Sequence, residues 1–176
     1  MEQDKGLVLT RKGYDDAQRE LQELLTVKRP ALSERLKNLD SQPDVAFGLV
    51  AYRDYDQASG FVTRCFDLSD HETFLRHISG VTAGAGGDPT EAVYDGVYDA
   101  LVKTAWRGSG RSRRALILIG DCPGHEPGDP QNPRNISQEQ LVQLAGKTHK
   151  NVRIYGLAVG PRGGNSVYEL RWQQFE

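Results

Sequence analysis

Apolar residues in the first forty positions recur with a helical period. Ala17, Leu21, Leu24, Leu25, Leu32, Leu36 and Leu39 return at spacings near three and four, while Glu20, Glu23, Lys28, Arg29, Glu34, Arg35 and Lys37 supply the polar face. The pattern predicts a long N-terminal amphipathic helix starting near Thr10 or Gly13. It is kinked or divided at Pro30, whose ring removes a ladder hydrogen bond. Beyond Pro43 the pattern changes. Val45–Tyr52 (VAFGLVAY) is a near-continuous apolar run with β-branched and aromatic members, as expected of a strand covered on both faces. Phe61–Phe66 alternates and predicts a neighbouring strand. His71–Ile78 and Glu91–Ala105 read as helices, the second with Val93, Val97, Ala100 and Leu101 along one side. Ala115–Ile119 (ALILI) predicts another buried strand, and Gln138–His149 a helix capped by Ser137 with Gln140 three residues on. Val152–Val159 reads as a last strand and Tyr168–Phe175 as a short terminal helix. Strands separated by helices imply mostly parallel pairing with right-handed crossovers. The expected fold class is therefore α/β, with a doubly wound sheet flanked by helices.

Composition narrows the class. The chain has 176 residues, 38% hydrophobic and 26% charged, which suits one compact domain or a small domain with an appendage. Its net charge of −2 and pI near 6.1 provide no field that would draw nucleic acid or an anionic membrane. Mean hydropathy is −0.58, and the longest apolar runs fall far short of a membrane span. Residues 1–10 lack the basic start and apolar core of a secretory signal, and two cysteines, Cys65 and Cys122, are too few for a disulfide scaffold. A cytoplasmic protein is expected. Glycine and proline divide the chain as well. Residues 14–42 hold no glycine and only Pro30, whereas 120–133 hold three glycines and four prolines. The expected organisation is an N-terminal strand and helical segment over 1–42, followed by a domain over 43–176.

Candidate chemistry gathers in the loops. Ligands of doubly wound sheets sit at the carboxyl ends of the strands, and acidic, glycine-containing loops follow those ends here. Arg53-Asp54-Tyr55-Asp56 comes after the first long strand, and Gly120-Asp121-Cys122-Pro123-Gly124-His125-Glu126 after ALILI. Asp88 or Thr90, ahead of a helix, reads either as a cap or as part of a site. Cys122 and His125 have the Cys-x-x-His spacing of a zinc half-site, but no second pair completes it. The same two residues could form a nucleophile and base, a Cys/His hydrolase reading that lacks an oxyanion signal. Arg107, Arg111, Arg113 and Arg114 read as a solvated basic loop. No Walker loop or dinucleotide glycine fingerprint is present.

Four ordered segments, VAFGLVAYRDY, GAGGDPTEAVYDGVYDAL, RRALILIGDCPGH and NVRIYGLAVG, resemble a von Willebrand factor A-type domain over residues 45–176, closest to the bacterial intracellular kind. The resemblance implies a Rossmann-like fold and a non-enzymatic adaptor. Its partner would bind at the C-terminal edge of the sheet, with Tyr52, Asp54, Tyr55 and His125 around the contact surface. Many such domains hold a divalent metal at that edge, which would place Mg²⁺ or Mn²⁺ on Asp88, Thr90 and Asp121. The family's first metal motif, Asp-x-Ser-x-Ser, has no counterpart. Aligning Gly13 on its glycine puts Thr10 at the acid and Lys12 at a serine, and a cation there opposes a metal.

Residues 7–37 (LVLTRKGYDDAQRELQELLTVKRPALSERLK) resemble the opening of the coiled-coil arm of Gre-type transcript-cleavage factors, through Leu9-Thr10, Gly13-Tyr14, Glu20-Leu21 and Val27-Lys28-Arg29-Pro30. That resemblance implies an alternative, an elongation-associated factor contacting RNA polymerase through its N-terminal helix. The family's acidic tip is replaced by Asn38–Asp44, so cleavage activity is not implied. Alternatively, the segment is a divergent first strand and helix of the A-type domain, with Gly6–Leu9 paired into the sheet to avoid open strand edges.

Overall fold

A computed structural model describes Val27, Ala31, Glu34 and residues 43–55, 60–82, 90–108, 110 and 112–158. The chain divides into two compact units, Met1–Val45 and Ala46–Glu176. Of the first, only residues 27, 31, 34 and 43–45 are described, with Ala31 and Glu34 helical. The expected long N-terminal helix, the Gly6–Leu9 strand and the Tyr168–Phe175 helix lie outside the described residues.

The second unit is mixed α/β. Four strands, β1 (Phe47–Tyr52), β2 (Thr63–Ser69), β3 (Ala115–Gly120) and β4 (Arg153–Ala158), are interleaved with helices α1 (His71–Ser79), α2 (Val93–Lys103) and α3 (Gln138–Ala145). β1 and β2 pair antiparallel, from Phe47 opposite Ser69 to Tyr52 opposite Thr63, with an irregularity between Phe47 and Leu49. β3 and β4 pair parallel in register, Ala115 with Arg153 through Gly120 with Ala158, and α3 is their crossover.

Side chains alternate across a strand, and this places one helix on each face of the β1–β2 pair. On one face Phe66 stacks on His77 of α1, with ring centroids 4.4 Å apart, and Phe47 stacks on Phe74 at 5.2 Å. On the other, Thr63 bonds to Asp99 of α2. There α2 comes so close to β1 that a Cβ added to Gly96 would stand 2.8 Å from the Tyr52 ring.

The apolar core forms where α2 meets α3. Tyr94, Val97 and Leu101 from α2 pack with Ile136, Leu141, Ala145 and Val152, and Leu116, Leu118 and Ile154 close over them from β3 and β4. ALILI was expected to be buried throughout. Instead β3 alternates, because only its Leu116 and Leu118 side meets the core while Ile117 and Ile119 are 65% and 55% exposed. Tyr155 and Leu157 of β4 are exposed as well, at 49% and 52%. Local chemistry sets the helix ends. Ser137 accepts from the Gln140 amide, and Gln140 reaches back to the Ser137 amide, as the capping pattern predicts. α3 stops at Ala145 rather than His149 because Gly146 caps it, its N–H bonding to Gln143 O. No helix among the described residues is long and apolar enough to cross a membrane.

Candidate functional site

Three loops meet at the carboxyl ends of β1 and β3. The first is the exit of β1 through Tyr52, Arg53, Asp54 and Tyr55. The second is Thr90–Ala92, ahead of α2, and the third runs from Ile119 to Glu126. Backbone bonds clasp them. Glu91 N–H donates to Pro123 O at 2.9 Å, His125 N–H to Glu91 O at 3.2 Å and Ala92 N–H to Arg53 O at 3.3 Å. Glu91 and Gly124 form a parallel bridge. This bridge also corrects a helix boundary. α2 was expected to begin at Glu91 with Asp88 or Thr90 as its cap, but its N-cap is Ala92, with no side-chain cap bond. Residues 91–92 are held extended against the 123–125 loop, so the first turn starts at Val93.

Side chains add a second layer of ties. Tyr52 Oη donates to Ile119 O at 3.0 Å. Burial, reinforced by the charges of Glu91, Asp121 and Cys122, holds the Tyr52 phenol well above its ordinary ionisation range. His125 is 3% exposed and sits between two carboxylates, with Nε2 3.0 Å from Asp54 Oδ1 and Nδ1 3.2 Å from Asp129 Oδ2. A ring carrying a proton on each nitrogen donates to both at once. Asn132, also 3% exposed, secures the same loop. Its Nδ2 donates to His125 O and Ile136 O at 3.0 and 2.9 Å, and its Oδ1 accepts from Ile136 N–H at 3.0 Å. A buried amide with its polar atoms engaged in this way holds the loop in one conformation.

The neighbouring face of α2 carries a buried acidic pair. Asp95 and Asp99 are 2% and 1% exposed. Arg134 Nη1 reaches both, at 2.9 and 3.1 Å, while its guanidinium carbon lies 4.3 Å from the Tyr98 ring centroid. Asp99 Oδ2 also accepts from Thr63 Oγ1 at 2.5 Å and Lys103 Nζ at 2.7 Å. Burial opposes ionisation of Asp99, but the bonds from Lys103, Thr63 and Arg134 outweigh it and hold its carboxyl below the usual range. Tyr55 belongs to this cluster too. Burial and a hydrogen bond to Asp95 push its phenol well above the usual range.

The sequence-named residues therefore separate. Tyr52, Asp54 and His125 come together, with Asp54 and His125 pointing inward to hold the loops. Tyr55 turns toward Asp95. Thr90 is half-buried in the clasp and Asp121 is exposed beside it, whereas Asp88 lies outside the described residues. Among the described residues no three His, Cys, Asp or Glu side chains converge as metal ligands. Cys122 and Cys65 are free thiols. His125 commits both ring nitrogens to carboxylates, which is not the arrangement of a base aimed at the Cys122 thiol. Arg114, grouped above with a solvated basic loop, instead donates to Arg107 O and Lys150 O and so ties the start of β3 to the approach to β4.

Sequence reasoning missed Asp95, Asp99, Asp129, Asn132 and Arg134. A signal for the first two was legible: Val-Tyr-Asp at 93–95 repeats at 97–99, placing two carboxylates four residues apart on an otherwise apolar helix. Their partner Arg134, 39 and 35 residues away, carried no such mark.

No family profile matches the chain, and no solved structure matches it. The Alpha-protein kinase vwkA of Dictyostelium discoideum is 39% identical over 98 residues, which cover 53% of this chain and 15% of that protein. The chain thus spans a small part of this relative's length, and the kinase activity in its name is said of the relative.

Proposed function

We propose that the chain is a non-enzymatic protein-binding module of von Willebrand factor A type, engaging its partner through the loops at the C-terminal ends of β1 and β3. The observation supporting this reading is the clasp itself. Three loops distant in sequence are locked together by backbone bonds and by the Asp54–His125 contact, 71 residues apart, beneath a rim that includes exposed Asp121 and Glu126. Rigid loops on a sheet edge spend little ordering entropy on association. In this reading Asp54, His125 and Asn132 position the rim, while Tyr52, Tyr55 and Asp121 meet or border the partner. The doubly wound sheet belongs to the same proposal, supported by helices on both faces of β1–β2 and by the parallel β3–α3–β4 unit. Mg²⁺ or Mn²⁺ held by Asp88, Thr90 and Asp121 is its metal-dependent form.

Capture of partners by the full chain tests it, with the rim variant Asp121→Ala/Glu126→Ala and the remote control Val142→Ala beside the wild type. Partners kept by wild type and control but weakened at least about tenfold by the rim variant support the reading. Equal retention by all three overturns it. Calorimetric titration with Mg²⁺ and Mn²⁺ decides the metal form, which fails if binding survives Asp121→Ala. Deleting residues 1–40 separates the two resemblances of the N-terminal segment. A remainder that unfolds supports a shared fold, and one that stays folded supports a separate arm.

A further inference from the structure

A cleft of about 300 Å³ opens between the exit of β1, the start of β2 and the end of α1, lined by Arg53, Phe61, Arg64 and Gly80–Thr82. Its chemistry is one-sided. Two of the lining residues are arginines, and no lining residue is acidic. The Arg53 and Arg64 guanidinium carbons each lie 4.4 Å from the centroid of the same Phe61 ring, so they are no farther apart than twice that distance. Arg53 is braced by a 2.7 Å bond from Nη2 to Thr82 O, and Arg64 is exposed, with no carboxylate partner among the described residues. Two like charges are thus held together on one aromatic support, with nothing among the lining residues to neutralise them.

We propose that this cleft is a binding site for a phosphate monoester dianion, either free or borne on a phosphorylated side chain. Such a group carries close to two negative charges near neutral pH and three acceptor oxygens, which match two guanidinium forks. A carboxylate has one edge and one charge, and a single fork saturates it. A phosphodiester brings one charge per unit, and the chain's net charge of −2 offers no wider field for a polyanion. Phe61 keeps both forks in place before the ligand arrives, which lowers the ordering cost of binding. The site is independent of the partner-binding rim proposed above.

Calorimetric titration of the full chain tests this, with inorganic phosphate, N-acetyl-phosphoserine amide, its unphosphorylated parent and acetate as ligands. Saturable one-to-one binding of the phosphate ligands is expected, weakened about tenfold or more in Arg64→Gln and several-fold at pH 5, where the monoester has lost most of its second charge. Equal affinity for the two phosphate ligands assigns the free ion, and tighter binding of the phosphoserine derivative assigns a phosphorylated side chain. No saturable binding overturns the proposal, as does acetate binding as tightly as phosphate or an unchanged affinity in Arg64→Gln. Arg53→Gln gives a second reading of the same site. If losing its bond to Thr82 O unfolds the chain, Arg64→Gln, on an exposed side chain, decides alone.

Discussion

The two faces of β2 handle charge in opposite ways. On the α2 side Thr63 donates into a cluster where two buried carboxylates, Asp95 and Asp99, meet two cations, Arg134 and Lys103. On the α1 side the next residue, Arg64, shares the Phe61 ring with Arg53, and no lining residue of that cleft is acidic. Depth explains the contrast. A charge taken out of water has to be compensated where it lies, whereas a guanidinium on an open cleft stays hydrated and can wait for a ligand. The balanced face is therefore expected to govern stability, and the unbalanced face recognition.

Removing the shared cation breaks the balanced side most severely. Arg134→Met leaves Asp95 without its cation and Asp99 with Lys103 alone. Losing one partner of a buried pair costs ~3–5 kcal/mol. Because Arg134 is itself 37% exposed, a loss of about 2–4 kcal/mol is expected in urea or thermal unfolding. A change below about 0.5 kcal/mol would remove the contrast between the faces.

Acid tests the same cluster more gently. The Asp99 carboxyl titrates lower in the folded chain than its ordinary value. Its contribution is therefore fully present above the unfolded pKa of ~3.9 and disappears as pH falls through the lower folded value. Denaturant unfolding between pH 6 and pH 2.5 should show a loss of stability below about pH 4 that is shallower in Asp99→Asn. Parallel slopes would mean that other carboxylates carry the transition.

The smallest effects come from neighbouring residues on opposite faces. Thr63→Val removes a donor from a buried carboxylate and is expected to cost about 1–2 kcal/mol. Arg64→Gln, one residue on, should leave stability within about 0.5 kcal/mol of wild type while abolishing phosphate binding. If Arg64→Gln destabilises as much as Thr63→Val, the cleft arginine is structural and the two faces are alike.

Much of the architecture was readable from residues. The 3.6-residue spacing of Val93, Val97, Ala100 and Leu101 marks the buried side of α2, and all four are buried. Ser137 and Gln140 announce the start of α3, and Gly146 explains its early end. The reading went astray where an element's surroundings override its composition. ALILI looks like a strand covered on both faces, yet only alternate residues reach the core. Residues 91–92 have the composition of a helix start, but pairing with the 123–125 loop draws them out.

The candidate site divides along the same line. Tyr52, Asp54, Asp121 and His125 were legible as strand-end residues, because a loop that follows an apolar run must lie at the end of a strand. That Asp54 and His125 face inward, bonded to each other, was not. Periodicity, caps and turn residues act over three or four positions, so the sequence alone determined the helices, the strands and the ends where loops gather. Pairings such as Asp54 with His125, Arg134 with Asp95 and Arg53 with Arg64 about Phe61 depend on which elements pack together. Only the tertiary structure decided them, because hydrogen bonds and charge compensation act over a few ångströms in space whatever the distance along the chain.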